Sequence, residues 1–359
     1  MAIQTQPAID EQKLHAFMGK AVGDLAGASV IAMCAAGDRL GLFKALAAAG
    51  PSTSAELAAR AKVNERYTRE WLGGMACAGY LTYDPASKRF TLPPEQAMAL
   101  AQDGSPVFVG GMYQLFMAEV QPFAQLCEAF KTGGGVQQAA YTGDFWLGLE
   151  RFTAGWFENL LLQQWIPAVP HVQAKLRQGA VVADVGCGNG KALVKLAQAF
   201  PNSRFVGYDA FAPAVATATA KAKEAGVADR VRFQAHDVAT GLPAQYDLIT
   251  TFDVVHDAVQ PRALLKGIRQ GLKRDGSYLL LDINCSDKLE ENAGPLGAMF
   301  YGVSLFYCMT TSLAEHGEGL GTMGLPPSKV DELCKEAGFG SVRRLPLENP
   351  FNILYEVRA

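Results

Sequence analysis

The residues best suited to chemistry in this chain are acids and glycines at the ends of apolar runs. In ADVGCGNGKA, residues 183–192, Asp184 closes a run of strand formers and Gly186, Gly188 and Gly190 follow it. Glycines there let a backbone turn tightly and approach a ligand with no Cβ in the way. A dinucleotide fingerprint would read G-x-G-x-x-G; the spacing here is G-x-G-x-G, and an acid ahead of it suits an ammonium group better than a phosphate. Asp209 ends the next such run, in VGYD, where a carboxylate can accept from both hydroxyls of a ribose. Asp237, in AHDV, ends a third and can accept from an exocyclic adenine amine. Acids at three successive strand tips converge, with the glycine loop, on one crevice at the switch point of an open sheet. After a fourth run, TTFDVVHD sets His256 beside Asp257. Histidine is the side chain whose ordinary pKa makes it a base near neutrality, and a neighbouring acid can orient it. The bland alternative is a polar strand end, with Asp257 as N-cap of the helix in AVQPRALLKGI. We take Asp257 as that cap and His256 as an active-site residue, either a base or a pocket wall.

These residues need a scaffold, and the alternation from about residue 180 supplies one. AVVADV, RFVGYD, VRFQAHD, YDLITTFDVV and GSYLLLDIN read as strands, separated by helices in GKALVKLAQAFP, APAVATATAKAKEAG and QPRALLKGIRQGLK. A helix in SKVDELCKEAGF and an antiparallel pair in SVRRLPL and FNILYEVR follow. Buried strands alternating with helices imply a doubly wound α/β sheet. Ahead of it, Ser54 caps a helix in AELAARA, Asn64 caps a second, and YLTYD and KRFTLP form a hairpin, which together make a winged helix. Residues 96–170 are helical and aromatic. Among them Tyr141, Phe145 and Trp146 lie beside the loop TGGGV and are the best placed to line a pocket. A long irregular insert, 285–325, carries Met299, Tyr301, Tyr307, His316 and Glu318 where it can cover a second ligand.

The chain has 359 residues, 49% hydrophobic and 19% charged, with a net charge of −3 and a pI near 6.0. That is a globular composition with no bulk attraction to nucleic acid or anionic membrane. Seven scattered cysteines, with no CxxC, argue against a disulfide framework and fit a reducing cytoplasm. LAGASVIAMCAAG, between Asp24 and Asp38, is too short and too rich in Gly and Ala to span a bilayer, and is expected as a buried helix.

With DVGCGNG, GYD, AHDV and FDVVHD in place, residues 170–359 resemble a class I S-adenosylmethionine-dependent methyltransferase, whose seven-stranded sheet is Rossmann-like. The front half, from GDRLGLFKALAAAG through GYLTYDPASKRFTLP, is similar to a bacterial group with an N-terminal winged helix, as are EGLGTMG and PFNILYEVR. The resemblance implies S-adenosyl-L-methionine as cofactor and S-adenosyl-L-homocysteine as product. Asp184, Gly186, Gly188 and Gly190 would surround the methionine end, Asp209 with Ala210 the ribose, and His236, Asp237 and Val238 the adenine, with Phe252 and Asp253 at the far wall. No metal is implied. A His-Asp pair like His256–Asp257 occurs at the corresponding place in some small-molecule O-methyltransferases.

The expected organisation is a winged-helix and dimerisation domain (1–95), a helical linker contributing to the active site (96–170) and an S-adenosylmethionine-binding domain (171–359). The expected activity is methyl transfer to a small-molecule acceptor, by a cytoplasmic homodimer joined through its N-terminal domain. A thiol or thioether acceptor is the alternative; a thioether would need no base. A DNA-binding regulator that senses the adenosyl group is a third reading. It is opposed by Glu65 and Glu70 beside Arg66 and Arg69, which leave only Lys88 and Arg89 on the wing. Nucleic-acid methylation is opposed by FDVVHD standing where an NPPY-type tetrapeptide would be.

Overall fold

A computed structural model describes residues 9–359. Residues 1–8, which open the expected 1–95 domain, lie outside the described residues. The chain forms two compact units, one running up to Met117 with Asp144–Phe152, the other comprising Ala118–Gly143 and Thr153–Ala359. The expected 96–170 segment is therefore shared between them.

In the first unit α1 (Glu11–Arg39), α2 (Leu42–Ala49), α3 (Ser54–Ala61) and α4 (Glu65–Cys77) precede a hairpin of β1 (Thr82–Asp84) and β2 (Arg89–Thr91), then α5 (Pro94–Leu100). Phe43, Leu46, Leu57, Trp71, Leu72 and Met75 form its core, and the Trp71 indole donates to the Met33 carbonyl at 2.8 Å. Asn64 caps α4 as expected. The cap of α3 is Thr53 rather than Ser54, because Glu56 three residues on closes a capping box with it. The basic residues of the winged helix are drawn into ion pairs: Arg66 with Glu70, Arg69 with Glu65 at 3.6 Å, and Arg89 bidentate on Glu56 at 2.7 and 2.8 Å.

The expectation for α1 is overturned. It is a 29-residue helix with only Cys34 and Gly37 buried. Leu14, Phe17, Met18, Val22 and Leu25 are 46–70% exposed, and their spacing places them on one stripe. By length and composition α1 and the helical stretch Pro295–Ala314 would each suffice to cross a membrane.

α6 (Gly110–Glu119) and α8 (Gly143–Asn159) have residues in both units, and α7 (Phe123–Thr132) lies in the second. A π turn, Leu161–Trp165, and α9 (Pro170–Gln178) lead into the sheet. Its strands are β3 (Val181–Val185), β4 (Arg204–Asp209), β5 (Val231–Ala235), β6 (Tyr246–Phe252), β7 (Leu272–Ile283), β8 (Ser341–Arg344) and β9 (Asn352–Arg358). They are ordered β5-β4-β3-β6-β7-β9-β8, and only β9 runs against the rest. This is the expected seven-stranded Rossmann-like α/β sheet, with its switch point between β3 and β6. Helices α10 (Lys191–Ala199), α11 (Ala212–Glu224), α12 (Pro261–Gly271) and α15 (Pro327–Glu336) connect the strands. Alternate strand residues feed two cores: Val182, Phe205, Leu248 and Leu279 pack with α9 and α10, and Ala183, Tyr208, Ile249 and Leu280 with α12 and α15. Such clean alternation is what a sheet covered on both faces requires.

Asp257 does not cap α12. That helix starts at Pro261 with Gln260 as N-cap, because proline is pre-set for the first helical position and fixes the start there. The insert is not irregular either. It holds α13 (Pro295–Val303), a second π turn (Ser304–Cys308) and α14 (Met309–Ala314), joined without a break.

Candidate functional site

The glycine loop turns off the end of β3 over the end of β4. Gly186 and Cys187 donate their N–H groups to the Tyr208 carbonyl at 2.8 and 3.0 Å. Gly186 and Gly190 have φ of +69° and +76°, and a Cβ would come within 2.5 Å of the Val254 and Phe233 side chains respectively. Both are closed to any other residue. Asp209 fastens the loop: Oδ2 accepts from Gly188 N and Oδ1 from Phe211 N, each at 2.8 Å. A carboxylate offers about four acceptor sites, so each oxygen keeps one for a ligand. Ala210 is exposed in the turn between. Asp184, 3% exposed, accepts from Thr250 Oγ1 at 2.6 Å. Burial, joined by the charge of Asp209, pushes it up to about 7 against that hydrogen bond. A cation nearby would relieve it.

At the tip of β5 the His236 Nε2–H donates to the Gly241 carbonyl at 2.6 Å. Asp237 is exposed and accepts from Ala239 N at 2.9 Å. Val238 is buried among the α12-side core. Phe252 lies on Trp165, with ring centroids 5.5 Å apart and nearly parallel, and edge-on to Phe157.

The ends of β6 and β7 build a second constellation. His256 is 4% exposed. Its Nδ1 lies 2.6 Å from Asp282 Oδ1, and its Nε2 lies 3.6 Å from Asp257 Oδ1. Burial disfavours the imidazolium, but the Asp282 and Asp257 carboxylates outweigh it and hold the His256 pKa well above 6.5. Asp253, in the left-handed region at φ +56°, accepts from Asn352 Nδ2 at 2.6 Å. Burial and the neighbouring Asp282 push it up to about 8. Ligand-capable atoms of Asp253, His256 and Asp282 lie within 4.8 Å of one another, as do those of His256, Asp257 and Cys308. The short His256–Asp282 contact accounts for the first group as an oriented imidazole. A cavity of about 470 Å³ lined by Asn284, Cys285, Asn292, Phe300 and Arg344 among others takes in none of the residues singled out from sequence.

A family model for a methyltransferase domain matches residues 176–321, the stretch that carries the glycine loop, the strand-tip acids and His256. Residues 176–321 are a methyltransferase domain. A model for an Rv2258c-like winged helix-turn-helix domain matches residues 28–102 ahead of it. Over 111 residues the chain is 29% identical to the ubiquinone biosynthesis O-methyltransferase of Pseudomonas savastanoi pv. phaseolicola, covering 31% of this chain and 47% of that protein. The chain spans between 23% and 52% of the length of the curated relatives it matches. Human N-acetylserotonin methyltransferase, solved with S-adenosylmethionine, shares the fold at a TM-score of 0.71 and 18% identity, over 99% of this chain and 100% of that one. An O-methyltransferase family protein from Burkholderia thailandensis does so at 0.67 and 19%, over 95% and 98%.

Within the methyltransferase domain and the rest of its unit, the structure brings together only some of the residues expected at the acceptor. Tyr141 and Tyr307 meet edge to face with centroids 5.0 Å apart, and Tyr307 feels the charge of Asp257. Met299 is half-buried on α13. Tyr301 is 44% exposed. His316 is exposed in a left-handed turn. Glu318 is held by Arg262 at 3.0 Å, a surface ion pair rather than a pocket wall. Phe145 and Trp146 belong to the other unit, where they pack edge to face. Asp282 and Glu119 were not foreseen. The acid closing LLLD was the available signal for the first.

Proposed function

We propose that the chain transfers the methyl group of S-adenosylmethionine to an oxygen of a small-molecule acceptor, with His256 as the base. The observation that carries this reading is the buried His256 imidazole whose Nδ1 is held by Asp282, leaving Nε2 as the basic atom. The O-methyltransferase names of the relatives support the oxygen acceptor. Bound S-adenosylmethionine supplies an electrophilic methyl group on a sulfonium sulfur. Asp184 would hold the ammonium end, Asp209 the ribose hydroxyls, and Asp237 with Val238 the adenine, while Gly186 and Gly190 keep the loop close. His256 Nε2 would take the acceptor's hydroxyl proton, and Asp282 would share the resulting charge. A histidine held this basic by Asp282 and Asp257 accepts a proton readily, and its free-base form is favoured by alkaline conditions.

Calorimetric titration with S-adenosylhomocysteine tests the cofactor half. Asp209→Ala is expected to weaken binding by about 1.5–3 kcal/mol, the scale of hydrogen bonds to a charged group. Unchanged affinity in that variant removes the ribose assignment, and preference for a nicotinamide dinucleotide removes the whole reading.

The exposed stripe on α1 supports a homodimer formed through the N-terminal unit. Five large apolar side chains on one helix face are a patch that a monomer rarely leaves in water. Light scattering is expected to give twice 38.4 kDa at micromolar concentration, and Phe17→Glu with Val22→Glu to halve it. A monomeric wild type ends the idea.

A further inference from the structure

Glu119, the last residue of α6, is absent from every role above, yet it is 2% exposed. Its Oε1 is buried with no hydrogen-bond partner among the described residues. Asp257 differs: its side chain is 35% exposed and its Oδ1 stands 3.6 Å from His256 Nε2, with the Cys308 thiol as a further hydrogen-bond partner of the carboxyl. No lysine or arginine pairs with either acid among the described residues. Buried polar groups are costly unless they are paired, so the orphaned Glu119 oxygen, within reach of the Asp257 charge, points to a group that the chain itself does not supply. Burial, and then the charge of Asp257, pushes Glu119 up to about 8.

The surroundings narrow the chemistry. Tyr141 feels the charge of Glu119 and Tyr307 that of Asp257. The hydroxyls of both are engaged: Tyr141 donates to the Phe306 carbonyl, and Tyr307 accepts from Gln138 Nε2 at 3.3 Å. What this corner offers a ligand is therefore carboxyl oxygens and aromatic carbon. A neutral hydroxyl would leave Glu119 protonated beside the Asp257 charge. A cationic nitrogen has several donors, lets both acids ionise, and is attracted to ring faces.

We infer that Glu119 and Asp257 recognise a cationic nitrogen on the acceptor, so that the substrate class is a hydroxyl compound bearing an ammonium or amidinium group. The inference rests on the methyl-transfer reading and specifies its acceptor.

Two probes of one size separate the possibilities: tyramine, a phenol with an ammonium tail, and 4-ethylphenol, which lacks it. Each is titrated calorimetrically into the full-length protein saturated with S-adenosylhomocysteine, in two buffers of different ionisation enthalpy. Tyramine is expected to bind at least about 10-fold tighter than 4-ethylphenol, the scale of a charge-assisted contact, with release of protons from Glu119. Glu119→Gln is expected to abolish both the preference and the proton release while keeping S-adenosylhomocysteine affinity. Tyramine binding no tighter than 4-ethylphenol, or undetected, overturns the inference, as does an unchanged ratio in Glu119→Gln. Weaker S-adenosylmethionine but unchanged S-adenosylhomocysteine binding in that variant would mean that the acid only balances the sulfonium. Failure to bind S-adenosylhomocysteine at all would instead remove the methyl-transfer reading.

Thermal unfolding guards against a structural role. A carboxyl raised in the folded state to about 8 from 4.5 costs stability as pH rises between those values. Glu119→Gln should therefore gain melting temperature over the wild type progressively from pH 5 to 8. Asp257 is the titratable group that acts on Glu119 across this range. A variant that melts lower throughout shows that Glu119 holds structure, and sinks the proposal.

Discussion

Replacing His256 with alanine is expected to lower kcat for an oxygen acceptor by roughly 10²–10⁴-fold, the range for loss of a positioned base. Affinity for S-adenosylhomocysteine should stay near wild type, because the cofactor contacts are assigned to the glycine loop and the tips of β3, β4 and β5, not to the tip of β6. The ring is buried and its Nδ1 is fixed at 2.6 Å from Asp282, so no second orientation competes with the one that presents Nε2. The size of the loss also reads the acceptor. A thioether gives up no proton, and with such a substrate the effect should be far smaller and fall on KM, as when only ground-state contacts are removed. Steady-state kinetics on the acceptor found decides between them; unchanged kcat and KM would return His256 to a passive polar residue.

Asp282→Asn is expected to cost a similar roughly 10²–10⁴-fold in kcat, although Asp282 need not touch the substrate. An amide can present its N–H to Nδ1 and so favour the tautomer with the proton on Nε2, where a base is needed. The charge matters too. Asp282 is the foremost carboxylate raising the His256 pKa against burial. In the wild type kcat should therefore rise with pH through an inflection well above 6.5, as the imidazolium loses its proton. In Asp282→Asn the same inflection should move down. A pH profile that keeps its inflection while kcat falls would assign Asp282 to holding structure rather than to setting the basicity of His256.

The donor half of the site was legible because its chemistry is local. Asp184, Gly186 and Gly190 sit within one turn of chain, and positive φ with no room for a Cβ leaves a signature in residue type. Asp209 and Asp237 are legible for a related reason, since strand ends are marked by the change from apolar to polar residues. The acceptor half is assembled from distant segments and left no such mark. Asp282 closes an apolar strand and meets a histidine 26 positions earlier only once the chain between them has formed a helix and a neighbouring strand. Glu119 is a single acid in FMAEV, where helical periodicity assigns it to solvent as readily as to the interior. Asp257 was assigned to a cap because Asp is a good N-cap residue, but Pro261 decides where α12 begins. The stretch LAGASVIAMCAAG within α1 was expected inside the unit on composition alone. Its stripe at Leu14, Phe17, Met18, Val22 and Leu25 is apolar, but periodicity does not say which surface covers it.

The π turn Ser304–Cys308 sets an angular phase. An α-helix advances 100° per residue, and a π turn carries one residue more than its α counterpart. The face that α13 presents is therefore offset by about 100° from the one it would share with α14 in an uninterrupted helix. That offset is what allows a single continuous rod, Pro295–Ala314, to turn Tyr301 to solvent and still bury Tyr307, Cys308 and Thr310. Deleting one residue between Ser304 and Cys308 would close the wide turn into ordinary helix and rotate the two halves out of register, so the length of this segment is as much a constraint on the sequence as the identity of any residue in it.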